Sequence, residues 1–190
     1  MPSFSQIAAL ATVAFAAFAA AAPVERDLPI ALPAILTSLA SELAPVTALL
    51  SSIDATNATA QIVDPITSQI ESILDGAVNQ ISTLAGAPVT TVLATANGVL
   101  SVTDTAQLLA PVLTTVFSAT QDVLNAAGPA AAIIQPLLNE ATAALNPLLV
   151  AVAPLVNGLL AATAPIVAPV VGELENLGLG PVVGLVGSIL

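Results

Sequence analysis

Along residues 64–84, Ile66, Ile70, Ile73, Leu74, Ala77, Ile81 and Leu84 return at steps of three and four. That spacing collects them on one side of an α-helix, with Gln69, Glu71, Ser72, Asp75 and Asn79 on the rest of the wheel. Asp64 is placed to cap this helix, Pro65 to take its first position, and Gly86 with Pro88 to end it. A second helix is expected over 102–127, where Leu109, Val112, Leu113, Val116, Val123 and Leu124 form the stripe. Ser101 and Asp104 have the spacing of a reciprocal cap at its start, and Gly128-Pro129 closes it. Residues 33–53 predict another helix, interrupted near Pro45, and 88–98 a short one stopping at Asn97-Gly98. Strict apolar–polar alternation is rare, and the richness in Ala and Leu favours helix. The pattern predicts an all-α protein, a multi-helix bundle or array of amphipathic helices.

Prolines organise the second half. They stand at 111, 129, 136, 147, 154 and 165, with gaps of 18, 7, 11, 7 and 11. At about 100° per residue all six fall within roughly 20° of one line on a common wheel. "PLLNEATAALNPLLVAVA" (136–153) aligns in register with "PLVNGLLAATAPIVAPVV" (154–171). Gln121, Asn139, Asn146 and Asn157 share the proline arc, while Leu137, Ala141, Leu145, Leu148, Val152, Leu155 and Leu159 face the other way. A proline frees the carbonyl four residues back, and on a wet face water can satisfy it. The sequence therefore divides into 22–128, an N-terminal helical region, and 129–190, a proline-segmented apolar helical region. Leu148, Val152, Leu155 and Leu159 are the candidate surface-binding face.

Residues 141–172 carry no charge, enough to pass for a bilayer span on hydropathy. No Lys or Arg follows to set orientation, no aromatic belt flanks the stretch, and the prolines are patterned. An amphipathic segment fits better than a span.

Charge and composition narrow the chemistry. Twelve acids face one base, Arg26, for a net charge of −11, which repels phosphate backbones and leaves no nucleic-acid partner. Cys, His, Trp and Tyr are absent, which excludes Cys nucleophiles, His general bases, disulfides and thiolate or imidazole metal sites. No cofactor is expected. Glu71 with Asp75, and Glu173 with Glu175, are the nearest carboxylate pairs; neither has the accompanying groups of a catalytic site, and residues two apart on a helix do not converge. No catalytic or metal-binding residue is assigned.

The apolar run "IAALATVAFAAFAAAA" (7–22), with Ala19 and Ala21 before a cut at Ala22, reads as a secretory signal over residues 1–21. Asn57, in the sequon Asn57-Ala58-Thr59, is then a candidate glycosylation point. Glu25-Arg26 is a candidate processing point.

A leader ending in "APVERDL" (22–28), followed by Cys-free helical segments rich in Ala, Leu, Val and Thr, resembles small secreted proteins of filamentous fungi. The nearest group is the hydrophobic surface-binding protein A family of cell-wall and secreted proteins, and the likeness covers residues 22–127. The resemblance implies adsorption to hydrophobic solids or the wall, with no catalytic residues to carry over. The expected function is thus a secreted, non-enzymatic, surface-active protein whose partners are hydrophobic surfaces or the cell wall, with self-association left open. The alternative is an extracellular helical carrier of a fatty acid or sterol-like lipid.

Overall fold

The computed structural model describes residues 30–54 and 56–176, with side chains through residue 169. The expected signal segment with Ala19 and Ala21, the Glu25-Arg26 point, the Glu173 and Glu175 side chains and the last fourteen positions lie outside the described residues. The elements run α1 (Leu32–Ser51), α2 (Ala60–Ser82), α3 (Val89–Val92), β1 (Ala94–Thr95), β2 (Gly98–Val99), α4 (Val102–Ala127), a 3-10 turn (Gly128–Ala130), α5 (Ala131–Ala143), α6 (Leu145–Val152) and α7 (Leu159–Asn176). The fold is all-α, as the periodicity predicts.

Local chemistry explains most boundaries. At the head of α4, Ser101 Oγ accepts the Asp104 N–H at 3.1 Å, and the Asp104 carboxylate accepts the Ser101 hydroxyl at 2.7 Å and its N–H at 3.4 Å. This reciprocal cap satisfies donors that have no partner inside the helix. α2 begins earlier than expected, after the extended Thr59, so Asp64 is not its cap and Pro65 lies inside it. α1 likewise runs through Pro45 without interruption. The 88–98 helix shrinks to the single turn of α3. Its remainder is a two-stranded hairpin pairing Ala94 with Val99 and Thr95 with Gly98. The turn is Ala96-Asn97, and Gly98, at φ 131°, follows it as the first residue of β2, a conformation glycine adopts readily.

α4 is central: it packs between α1 and α7, while α2 packs between α1 and the α5–α6 rod, whose first part also touches α4. Their inward faces form one contiguous core from Leu32 to Val167, so residues after 128 share a core with those before it. The interior is aliphatic apart from Phe117 and a set of buried threonines. α1 is long and apolar enough to cross a bilayer by length and composition, but Leu36, Leu39, Leu43 and Leu50 are in that core. The uncharged stretch after 141 is divided by the 153–158 turn into the eight-residue α6 and α7. At about 1.5 Å per residue α6 is far too short to span a bilayer.

Candidate functional site

The prolines decide which side of each helix meets water. Pro45, Pro65, Pro111, Pro136, Pro147, Pro154 and Pro165 are all exposed. Two residues before them stand Leu43, Val63, Leu109, Ile134, Leu145, Val152 and Thr163, each only 0–1% exposed. Two residues after them stand Thr47, Thr67, Leu113, Leu138, Leu149, Val156 and Val167, also buried. The cause is the missing N–H. Inside helices the freed carbonyls belong to Ser41, Gln61, Gln107, Ala132 and Ala161, and every one of these residues is exposed. Water can therefore satisfy oxygens whose burial would be costly.

What accompanies the prolines on the outside differs along the chain. On α2 and α4 the exposed positions include Gln61, Asp64, Ser68, Asp75, Thr115, Ser118 and Asp122. On α5 to α7 they include Ile133, Val150 and Ile166, at 64%, 58% and 42% exposure, together with Pro136, Pro147 and Pro165. Alanines at 132, 143, 161 and 168 fill the places between, and Glu140 is the charged residue among the described side chains on this side. Ile30, just before α1, and Val89 and Val99, in α3 and β2 between the long helices α2 and α4, are exposed too. The exposed side of the C-terminal helices is apolar.

This corrects the residues nominated from the sequence. Leu148, Val152 and Leu159 are fully buried, and Leu155 is half-buried against the core. The wheel separated the two faces properly but could not say which one the rest of the chain would cover. The aliphatic face is the core, and the proline face is outside. The missed signal was the proline arc itself, where Ile133, Val150 and Ile166 stand beside the prolines.

Asn57 lies half-buried in the α1–α2 connection, where its Oδ1 accepts the Asp54 N–H at 2.7 Å. Thr59, the hydroxyl residue of the sequon, is exposed and makes no side-chain cap to α2. Asp54 is held below the usual carboxylate range by the Thr56 hydroxyl and then by the Thr56 N–H. Glu71 is raised, chiefly by partial burial and then by the like charges of Glu140, Asp75 and Asp64. Residues 30–176 contain no Lys, Arg, His or Cys, so no cation, imidazole or thiol stands beside these carboxylates. No cluster of metal-ligating side chains occurs among the described residues.

Two open clefts follow helix seams. One, of about 170 Å³ between α1 and α2, is lined by Ser38, Glu42, Ser72, Gly76 and Gln80 beside Ile35 and Leu39. Partial burial there raises the Glu42 carboxyl. The other, of about 400 Å³ between α1 and α4, is lined by Thr47, Ser51, Thr114, Ser118 and Asp122 with alanines. Both have mixed walls, with Ile73 and Ala77 adding to the apolar side of the first.

Comparison with known proteins gives no relative: no family model, curated protein or solved structure matches the chain.

Proposed function

We propose that this is a secreted, non-enzymatic surface-active protein that adsorbs to hydrophobic surfaces or to the cell wall through the exposed side of α5 to α7. One observation carries the reading: an outer face that is apolar and, among the residues with described side chains, uncharged beyond Glu140, backed by a core that already buries the opposite face. Exposed apolar surface on a folded domain marks an interaction site where it is contiguous. The partner is itself uncharged and apolar, because a chain of net charge −11 gains nothing from anionic lipid. The resemblance to hydrophobic surface-binding proteins points the same way. A carrier of fatty acid or sterol would need an enclosed aliphatic cavity. The two clefts are open seams between helices rather than an enclosed cavity.

Ile133, Val150 and Ile166 each leave roughly half of the side chain in water, so covering it is worth on the order of 1 kcal/mol per residue. Together they account for about a hundredfold in the adsorption constant. Replacing all three by Gln, a better helix former than Ile or Val, tests the reading. The triple variant should remain folded by circular dichroism, be secreted normally and adsorb to hydrophobic beads about a hundredfold less tightly. Undiminished adsorption by a folded triple variant sinks the proposal.

A further inference from the structure

Every buried polar side chain among the described residues is a threonine, and each closes its hydrogen bond onto its own helix. Thr47, Thr67, Thr105, Thr120, Thr142 and Thr163 donate to the carbonyls of Leu43, Val63, Ser101, Val116, Leu138 and Leu159, four residues back, at 2.9–3.3 Å. With no cation between 30 and 176 and no cysteine anywhere, neither an ion pair nor a disulfide joins one helix to another in this region. The buried contacts between helices are apolar. Such contacts are non-directional, and an oily surface can replace them without any buried hydrogen bond being broken.

One segment is placed to use that freedom. The α5–α6 rod lies along α2 between two connections, each containing a glycine in the left-handed region, Gly128 at φ 52° and Gly158 at φ 81°. Glu140 on α5 approaches Glu71 on α2, like charge against like charge, with no cation near. Asn139 Oδ1, also on α5, is buried with no hydrogen-bond partner. Both features oppose closure of the rod, and lifting the rod relieves both.

We infer that the α5–α6 rod is a strap that lifts from α2 on contact with an apolar interface and spreads Leu138, Leu145, Leu148 and Val152 onto it. In water those side chains have nowhere better than the core, so the strap stays down. On wax, oil or an air–water interface, the exposed Ile133 and Val150 make first contact and the strap then opens. The helices persist, because their polar bonds are internal. This inference rests on the proposed surface activity and adds a slow, tightening second step to it.

The test uses the full mature chain with Glu71→Cys and Glu140→Cys, the only cysteines in the molecule, bridged by a short flexible bis-maleimide. Adsorption to hydrophobic beads is read before and after washing, and helicity on hydrophobic nanoparticles is read by circular dichroism. The unbridged variant, which lacks both glutamates just as the bridged form does, is the reference, and it should attach and resist washing. The bridged form should still attach, through the outer face, but its wash-resistant fraction should fall about tenfold, the loss of one tightening step. Equal wash resistance of bridged and unbridged forms overturns the strap while leaving the surface activity standing. Failure of the bridge to form also overturns it, because the two helices are then not neighbours there. Loss of the helical signal on adsorption overturns it as well, since the chain would then be unfolding rather than opening. If even the parent fails to adsorb, the proposed function itself falls and takes the strap with it.

Discussion

The helices before Gly128 and those after it solve the inward problem identically and the outward problem differently. Val63-Asp64-Pro65-Ile66-Thr67 in α2 and Leu145-Asn146-Pro147-Leu148-Leu149 in α6 both bury positions two before and two after an exposed proline. Around Pro65 the exposed neighbours are Gln61, Asp64 and Ser68; around Pro147 they are Ala143 and Val150. Packing constrains the inner residues, because a vacancy or a stray polar atom there is costly. The outer residues are nearly free of that constraint, since surface substitutions away from special features change stability little. The C-terminal helices carry an apolar exterior that packing does not require, and the proposed adsorption gives it a use.

The largest expected effect tests the sameness of the two inner faces. Leu148→Ala and Leu113→Ala each remove a fully buried side chain, and each should cost about 2–5 kcal/mol by urea unfolding. A loss confined to Leu113→Ala would detach the C-terminal helices from the core and end the comparison. Replacing Leu148, Val152, Leu155 and Leu159 together by Ser should abolish folding outright.

Next comes the difference between the outer faces. Gln61→Ile, Ser68→Val and Asn79→Ile lie on the exposed side of α2. Added to the Ile133→Gln, Val150→Gln, Ile166→Gln protein, they should restore most of the roughly hundredfold loss in bead adsorption, because apolar burial is non-directional. If adsorption stays low, the location on the proline-bearing helices matters in its own right.

Capping singles out one helix rather than one half, since α1 and α2 also start without a side-chain cap. α4 has its Ser101–Asp104 box, whereas α5 and α6 start without a side-chain cap. Ser101→Ala should lower stability by about 1 kcal/mol in denaturant titration. The same measurement on Ala130→Ser, at the head of α5, should show a smaller gain, since that residue already has helical backbone angles.

The smallest effect is electrostatic. Glu71 has a folded pKa above its unfolded value of 4.5, owing to partial burial and then to Glu140, Asp75 and Asp64. The folded state therefore holds this proton more tightly. Stability is greatest near and below the ordinary carboxylate value and declines as pH rises through the raised one. Glu71→Gln should flatten that decline in unfolding midpoints measured from acid to neutral pH. Asp54 has the opposite sign: its pKa is depressed by Thr56, so its contribution is present above the unfolded value and disappears on acidification. Asp54→Asn should soften the acid side of the profile, and a fall in neutral-pH stability confined to Glu71→Gln would reverse the assignment.

Helix identity and inward faces were legible in the sequence because both rest on short-range chemistry. The stripe from Ile66 to Ile81 and the Ser101–Asp104 cap need nothing beyond their own turns, and both occur as the spacing predicts. The proline arc was also legible: a missing N–H has a local consequence, namely a carbonyl that must reach water. Proline was less decisive about boundaries. α1 passes through Pro45 and α2 through Pro65 because solvent stands ready at Ser41 and Gln61, so one lost bond does not end either helix.

Only the tertiary structure decided which of two apolar faces is covered. On α5 to α7 both sides are apolar, Leu138, Leu148 and Val152 on one and Ile133, Val150 and Ile166 on the other, and a wheel ranks neither as core. α2 and α4 decide it by presenting partners on the side that keeps the prolines wet. The sequence by itself determined how each helix satisfies its own polar groups, because those bonds close within four residues. Which aliphatic surface was left for the outside world depended on neighbours distant in the chain, because apolar contacts carry no direction of their own.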